Sequence, residues 1–291
     1  MRGPGKTVSR RAPRWWLRVM VHAGLCATAA VVLYPVLLVL KKAFEPGQSF
    51  ALSPSPLPDQ VTLDHFRSLF SATGSGGEPL FLRYALNSAL VALGTTVVGM
   101  VLATTAAYAL SRFRFRGRQL GLTAFLAVQM FPATLLLMPL YVLLDRLGLL
   151  SSLVGLILVY ATTAVPFCVW TLKGYFDSLP RELEEAARID GASAWGVFFR
   201  VVLPLARPGL AVTALFSFMT AWNEFILAST FLTDEASYTL PVLLKSAVGE
   251  YSAQWGVFAA GAILTSLPVM GLFYVLQKYL VGGLTAGSVK G

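Results

Sequence analysis

Few side chains here are of a type that does chemistry, and their spacing removes most reaction classes. His22 and His65 are the only histidines, so no zinc-type pair is present. Cys26 and Cys168 sit in different apolar runs and read as small packing residues, neither a disulfide framework nor metal ligands. Gly5-Lys6-Thr7 imitates the end of a phosphate-binding loop, but no strand leads into it and the leading glycine is missing. No serine occupies a Gly-x-Ser-x-Gly elbow. Nothing recognisable could hydrolyse a nucleotide, so any driven process takes its energy from a partner or an ion gradient. Two kinds of polar feature remain. Glu224 is the only acid inside an apolar run, with Asn223 beside it and Asn87 in an earlier run. An ionisable group there is costly and faces a bundle interior or a water-filled path. These three therefore read either as contacts between helices or as the lining of a path. The second feature is the polar stretch from Leu179 to Ser193. It reads as a short helix capped by Asp177 or Ser178, with Pro180 in the first turn and Glu182, Glu184 and Glu185 near its positive end. Gly191 supplies a left-handed exit. Trp195, Phe198, Phe199 and Val202 then follow at helical spacing, a face able to lie on the bundle or the membrane surface. Leu203-Pro204 and Arg207-Pro208 break the chain after it. Ala186, Ala187 and Ala192 leave this knuckle small-faced, so another protein's groove could approach its backbone.

The elements that must hold these residues are apolar. Of 291 residues, 56% are hydrophobic and 13% charged, against roughly 25% charged in an average soluble domain. The mean hydropathy is +0.69. Six runs, 17–40, 84–110, 120–144, 149–172, 209–232 and 256–280, each exceed the ~20 residues with which a helix crosses a bilayer. The second, third and fourth hold no charge. This excludes a soluble enzyme, a disordered chain and a disulfide-stapled secreted domain. A barrel would instead alternate over ~10 residues. The net charge of +9 is a topology signal and not a nucleic-acid footprint. Fifteen Lys and Arg fall on one side of the six runs and six on the other. The richer side includes Arg2, Lys6, Arg10, Arg11 and Arg14 and the acid-free loop with Arg112, Arg114, Arg116 and Arg118. Both termini are therefore expected in the cytoplasm. Ala27-Thr28-Ala29 resembles a signal-cleavage site, but the run continues to Leu40 and reads as a retained anchor. Segment 41–83 is rich in Pro, Ser and Gly, with a short helix expected at Leu63–Phe70. A tight external turn lies at Asp145–Gly148 and a longer external loop at 233–255.

Glu185-Ala186-Ala187, three residues, Gly191, nine residues, then Val201-Val202-Leu203-Pro204 resembles the EAA signature of bacterial ABC-importer permeases. Val201 stands where that signature has Ile. The resemblance covers nearly the whole chain. It implies an all-α membrane protein of six transmembrane helices, the type I importer permease fold with a cytoplasmic coupling helix. Glu185, Ala186, Ala187, Asp190 and Gly191 are then expected to dock on an ATPase subunit. The C-terminal segment Leu280–Gly291 is similar to that of carbohydrate-importer permeases, nearest the smaller subunits of the maltose/maltodextrin type. Gly287, Val289, Lys290 and Gly291 are thereby expected along the ATPase. Ala221-Trp222-Asn223-Glu224-Phe225 also resembles the sugar-permease pattern. The loop with Gly249, Glu250, Tyr251 and Ser252 resembles, by position and approximate length, the one that enters an opened sugar-binding protein.

The implied complex has a second, homologous permease, two ABC ATPase subunits and an external sugar-binding protein, set in membrane lipid without nucleic acid. ATP and magnesium are expected on the ATPases, with no cofactor or metal on this chain and no enzymatic activity of its own. The expected organisation is a cytoplasmic tail 1–16, a first transmembrane helix 17–40, an external loop 41–83, a five-helix core 84–280 containing the coupling loop 177–208, and a cytoplasmic tail 281–291. The cargo is expected to be maltose or maltodextrin, with trehalose or another oligosaccharide as the alternative. An ion-driven transporter would need ion sites within the membrane and internal repeats, and neither is visible beyond Glu224.

Overall fold

A computed structural model of the chain describes residues 15–48, 55, 57–74, 77–249 and 253–287. Apolar runs without charge leave the backbone no polar partner but itself, and a helix pairs every peptide group internally. Among the described residues the elements are accordingly helices, with isolated bridges at Thr73–Pro79 and Val248–Ala253. In chain order they are α1 (Trp15–Phe44), α2 (Asp64–Ser71), α3 (Leu80–Arg112), α4 (Arg118–Gln129), a 3-10 turn (Ala133–Leu136) and α5 (Leu137–Arg146). Then come α6 (Leu153–Ser178), α7 (Glu182–Ile189), α8 (Ala194–Val197), a π-turn (Phe198–Val202), α9 (Leu203–Leu205) and α10 (Arg207–Trp222). The last are α11 (Ile226–Phe231), a 3-10 turn (Glu235–Ser237), α12 (Leu240–Ser246) and α13 (Trp255–Gly287).

Among the described residues four helices, α1, α3, α6 and the Trp255–Tyr279 part of α13, are each long and apolar enough to cross a membrane. Two bent pairs bring the number to six when each counts as one span. The third expected run is one of them. α4 and the helix that continues into α5 meet at 91°. Pro132 is extended, at φ −61° and ψ 122°, and a residue that precedes proline is pushed out of the helical region. The other bend is 77°, between segment 194–205 and α10, where Pro204 and Pro208 flank Ala206. The fifth run, expected as one helix over 209–232, also departs from that form. α10 ends at Trp222 and α11 starts at Ile226, so Asn223, Glu224 and Phe225 lie in a break.

Within segment 41–83, α2 lies where the short helix was expected, α1 runs on to Phe44 and α3 begins at Leu80. α13 continues to Gly287, into the segment expected as the C-terminal tail. Residues Arg2 to Arg14, including Gly5-Lys6-Thr7, lie outside the described residues, as do Val289, Lys290 and Gly291.

α3 packs most extensively on α6, and α10 lies against both. Ala92, Ala103, Ala107, Ala161 and Ala164 are buried at these contacts, where small side chains let helices approach closely. Gly209 shows how closely: a Cβ there would fall 2.6 Å from the Tyr175 ring. One core cluster gathers Tyr84, Val91, Tyr160, Phe218, Trp222 and Phe231. The second, towards α7, gathers Tyr108, Cys168, Leu172, Phe176, Val197 and Phe198. Cys168 is a packing residue as expected, whereas Cys26 is on an exposed face of α1. α1 packs on α13 but is exposed along most of its length and is buried only at Lys41 and Ala43.

Candidate functional site

α7 sits where α3 and α6 both end. The expected caps do not serve it. Asp177 and Ser178 still belong to α6, and α7 starts from Arg181 with no side-chain cap. Asp177 accepts instead from Ser111 Oγ at 2.6 Å and Lys173 Nζ at 2.5 Å. Ser178 Oγ donates to the Tyr175 carbonyl at 2.7 Å. The exit is as read: Gly191 has φ +86°, and the Ala192 N–H returns to the Ala187 carbonyl at 2.9 Å. Ser193 then caps α8, its Oγ accepting from the Gly196 N–H at 3.2 Å.

Helical period divides α7 into two faces. Glu185, Ala186, Asp190 and Gly191 are exposed, and Ala187 is half-buried. Leu183 and Ile189 are exposed as well, Ile189 at 86%. The outward surface is thus small and partly apolar, with the exposed carboxylates of Glu182, Glu185 and Asp190 on it. The inward face carries Glu184, which is buried. Its Oε1 accepts from Arg112 Nε at 2.5 Å, and the two side chains are only 7% and 6% exposed. Its Oε2 accepts from the Tyr108 hydroxyl at 3.1 Å. Arg112 also donates through Nη2 to the Leu179 carbonyl at 3.2 Å and through Nη1 to Ser111 Oγ at 3.2 Å. One guanidinium at the end of α3 therefore holds α7 and the chain just beyond α6.

Sequence reasoning noted Glu184 only as one of three first-turn acids and Arg112 only as one of several loop cations. Glu184 precedes the half-buried Ala187 by three residues and so shares its face, but that burial is visible only in the structure.

The aromatic face beyond Gly191 splits. Phe198 and Val202 are buried on the bundle, and the Phe198 ring lies 4.8 Å from that of Tyr108. Trp195 and Phe199 are exposed and stack on each other with centroids 5.8 Å apart. Between these groups a pocket of about 220 Å³ is lined by Thr105, Tyr108, Phe113, Trp195 and Phe198.

The other polar residues are dispersed. Glu224, in the break of the fifth run, accepts at Oε2 from the Tyr160 hydroxyl at 2.5 Å. The same carboxylate accepts from the Leu227 N–H at 2.9 Å and the Ala228 N–H at 3.1 Å. It therefore closes the open start of α11 and ties it to α6. Asn87 Nδ2 donates to the carbonyls of Ala236 at 3.0 Å and Tyr238 at 2.9 Å. Asn223 is exposed and lines a pocket of about 360 Å³ with Pro241, Leu244, Thr265, Ser266 and Met270, none of them charged. In the loop after α12, Val248 and Ala253 form a bridge and the Gln254 N–H meets the Ala247 carbonyl at 2.8 Å. Gly249 lies inside that pinch, and Glu250, Tyr251 and Ser252 lie outside the described residues. Gly287 ends α13. Among the described residues no group of three or more His, Cys, Asp or Glu is placed to hold a metal ion.

Long apolar helices gathered in a bundle with a polar knuckle at one end are the form of an integral-membrane protein. Residues 95–285 match the model of the binding-protein-dependent transport system inner membrane component, and the chain belongs to that family. The resemblance to carbohydrate-type ABC-importer permeases therefore holds. The chain is 42% identical over 281 residues to the galactooligosaccharides transport system permease protein GanQ of Bacillus subtilis, covering 96% of this chain and 98% of GanQ. It is 40% identical to the maltose/maltodextrin transport system permease protein MalG of Yersinia pestis, covering 93% and 92% of the two. In fold it matches, with a TM-score of 0.74 and 24% identity, a chain from a bacterial ABC transporter involved in the import of the acidic polysaccharide alginate, over 95% of this chain and 99% of that one.

Proposed function

We propose that this chain is a permease subunit of an ATP-driven importer that carries an oligosaccharide across the bacterial cytoplasmic membrane. The observation that carries the reading is the two-faced knuckle, outward Glu185-Ala186 and left-handed Gly191 on a clamped base, in a chain of this family. Its outward face would dock on one of two ABC ATPase subunits, with ATP and magnesium held there. A second, homologous permease would complete the path, and an external sugar-binding protein would deliver the cargo. The loop around Gly249 would meet that protein, and both termini would lie in the cytoplasm. ATP closes the ATPase pair and draws the knuckles together, which shifts the permease pair between inward- and outward-facing states.

The uncharged lining beside Asn223 supports a cargo without charge. Maltodextrin is one candidate. GanQ and MalG are similar to this chain to nearly the same degree, so a galactooligosaccharide has equal support. The test is uptake by vesicles that hold the complete complex, with binding protein outside and ATP inside, against a panel of maltodextrins, galactooligosaccharides and trehalose. ATP-dependent uptake of one oligosaccharide class is expected. Uptake of none of them, with ATPase subunits bound, would end the reading.

A further inference from the structure

Resting on the coupling role proposed for α7, we propose that Arg112 and Glu184 form the joint that delivers motion of α7 to α3. They are positioning residues: neither meets nucleotide or cargo. The covalent path from α7 leads elsewhere. Backwards it runs through Leu179-Pro180-Arg181 into α6, and forwards through the π-turn into α10. α3 lies on neither route, yet it is the helix most extensively packed on α6 and is itself packed by α10. A push on α7 reaches the end of α3 directly through the Arg112–Glu184 pair and the Tyr108 hydroxyl.

The chemistry suits transmission better than it suits stability. A buried ion pair contributes little beyond what well-packed apolar residues of the same volume would. What it adds is direction. The guanidinium is a planar fork that binds a carboxylate in a fixed geometry. Here the fork is itself fixed, by the Leu179 carbonyl and Ser111 Oγ. Ser111 is held in turn by Asp177, and its carbonyl accepts from Arg181 Nη2 at 3.4 Å. Glu184 is in the first turn of α7, where a carboxylate also meets the positive end of the helix dipole. The ends of α3, α6 and α7 thus converge on two adjacent residues, Ser111 and Arg112.

Sugar uptake and ATP hydrolysis are measured together in vesicles holding the complete complex. The ratio of sugar moved to ATP consumed is compared among wild type, Glu184→Gln, Arg112→Gln and the double variant Arg112→Met with Glu184→Leu. A fold defect lowers both rates together, whereas a broken joint lowers the ratio. The ratio is expected to fall about 5-fold or more in each variant, the size of a modest coupling free energy. The double variant is expected to be no worse than either single, because one joint is lost only once. The double variant also strands no charge, so it separates coupling from folding. A wild-type ratio in the double variant, or proportional loss of both rates in all three, would overturn the joint and leave the proposed function standing. Failure of wild type to move any sugar with ATP would overturn both.

Discussion

Glu184 and Glu224 both accept a tyrosine hydroxyl, and they are held in opposite ways. Glu184 takes a guanidinium from 72 residues away and connects separate elements. Glu224 takes peptide N–H groups three and four residues ahead of it and repairs its own segment, with Tyr160 as the one distant partner. The first site lies at the end of the bundle, beside exposed polar residues, where a full charge pair can be assembled. The second lies in an apolar run, where an arginine would itself be a cost. A helix start supplies positive potential there without a second ion. A carboxylate in this fold can therefore act as a bridge or as a patch, and its partners tell which.

Four substitutions probe that difference, by unfolding of the detergent-solubilised chain. Arg112→Met leaves Glu184 buried with one neutral partner and is expected to cost about 3–5 kcal/mol. A loss under about 1 kcal/mol would mean that water reaches Glu184 and that the bridge is superficial. Glu224→Leu removes an acceptor from two N–H groups and from Tyr160, with an expected cost of about 2–4 kcal/mol. Unchanged stability there would remove the patch role. The tyrosines should rank last. Tyr160 donates at 2.5 Å to a carboxylate with no cation, and Tyr108 at 3.1 Å to one already paired. Tyr160→Phe is therefore expected to cost about 2 kcal/mol, against about 1 for Tyr108→Phe. The reverse order would contradict the comparison.

Legibility in the sequence follows the same division. α7 and its exit could be read because their signals are local: acids in one turn, alanines in the next, then Gly191. The bend at Pro132 was equally local, since Phe131-Pro132 stands in the middle of the third run. The run was read by hydropathy, which does not register a proline. The break at Asn223–Phe225 carries no Pro or Gly. It is set by Tyr160 on α6 and by Trp222, whose Nε1 donates to the Thr265 carbonyl on α13 at 3.0 Å. Such long-range contacts override a pattern that alone favours continuous helix. The inward turn of Glu184 was hidden for a related reason. A buried acid is recognisable only with its cation, and Arg112 lies on another element.

α3 is 33 residues long, about 50 Å at helical rise, against a hydrocarbon core of ~30 Å. Arg112 pins one of its ends. At the other, Arg83 Nε donates to the Ala236 carbonyl at 3.0 Å, Asn87 holds the Ala236 and Tyr238 carbonyls, and Ser88 Oγ accepts from the Leu240 N–H at 2.8 Å. A rigid rod fixed at both ends has a single position variable for the two faces it reaches. Given the proposed joint at Arg112–Glu184, a preference for one setting at the α7 end would bias the segment that leads into α12, and the reverse would hold with equal free energy. The two surfaces would then be thermodynamic reciprocals, with occupancy at the far end readable as affinity at the knuckle.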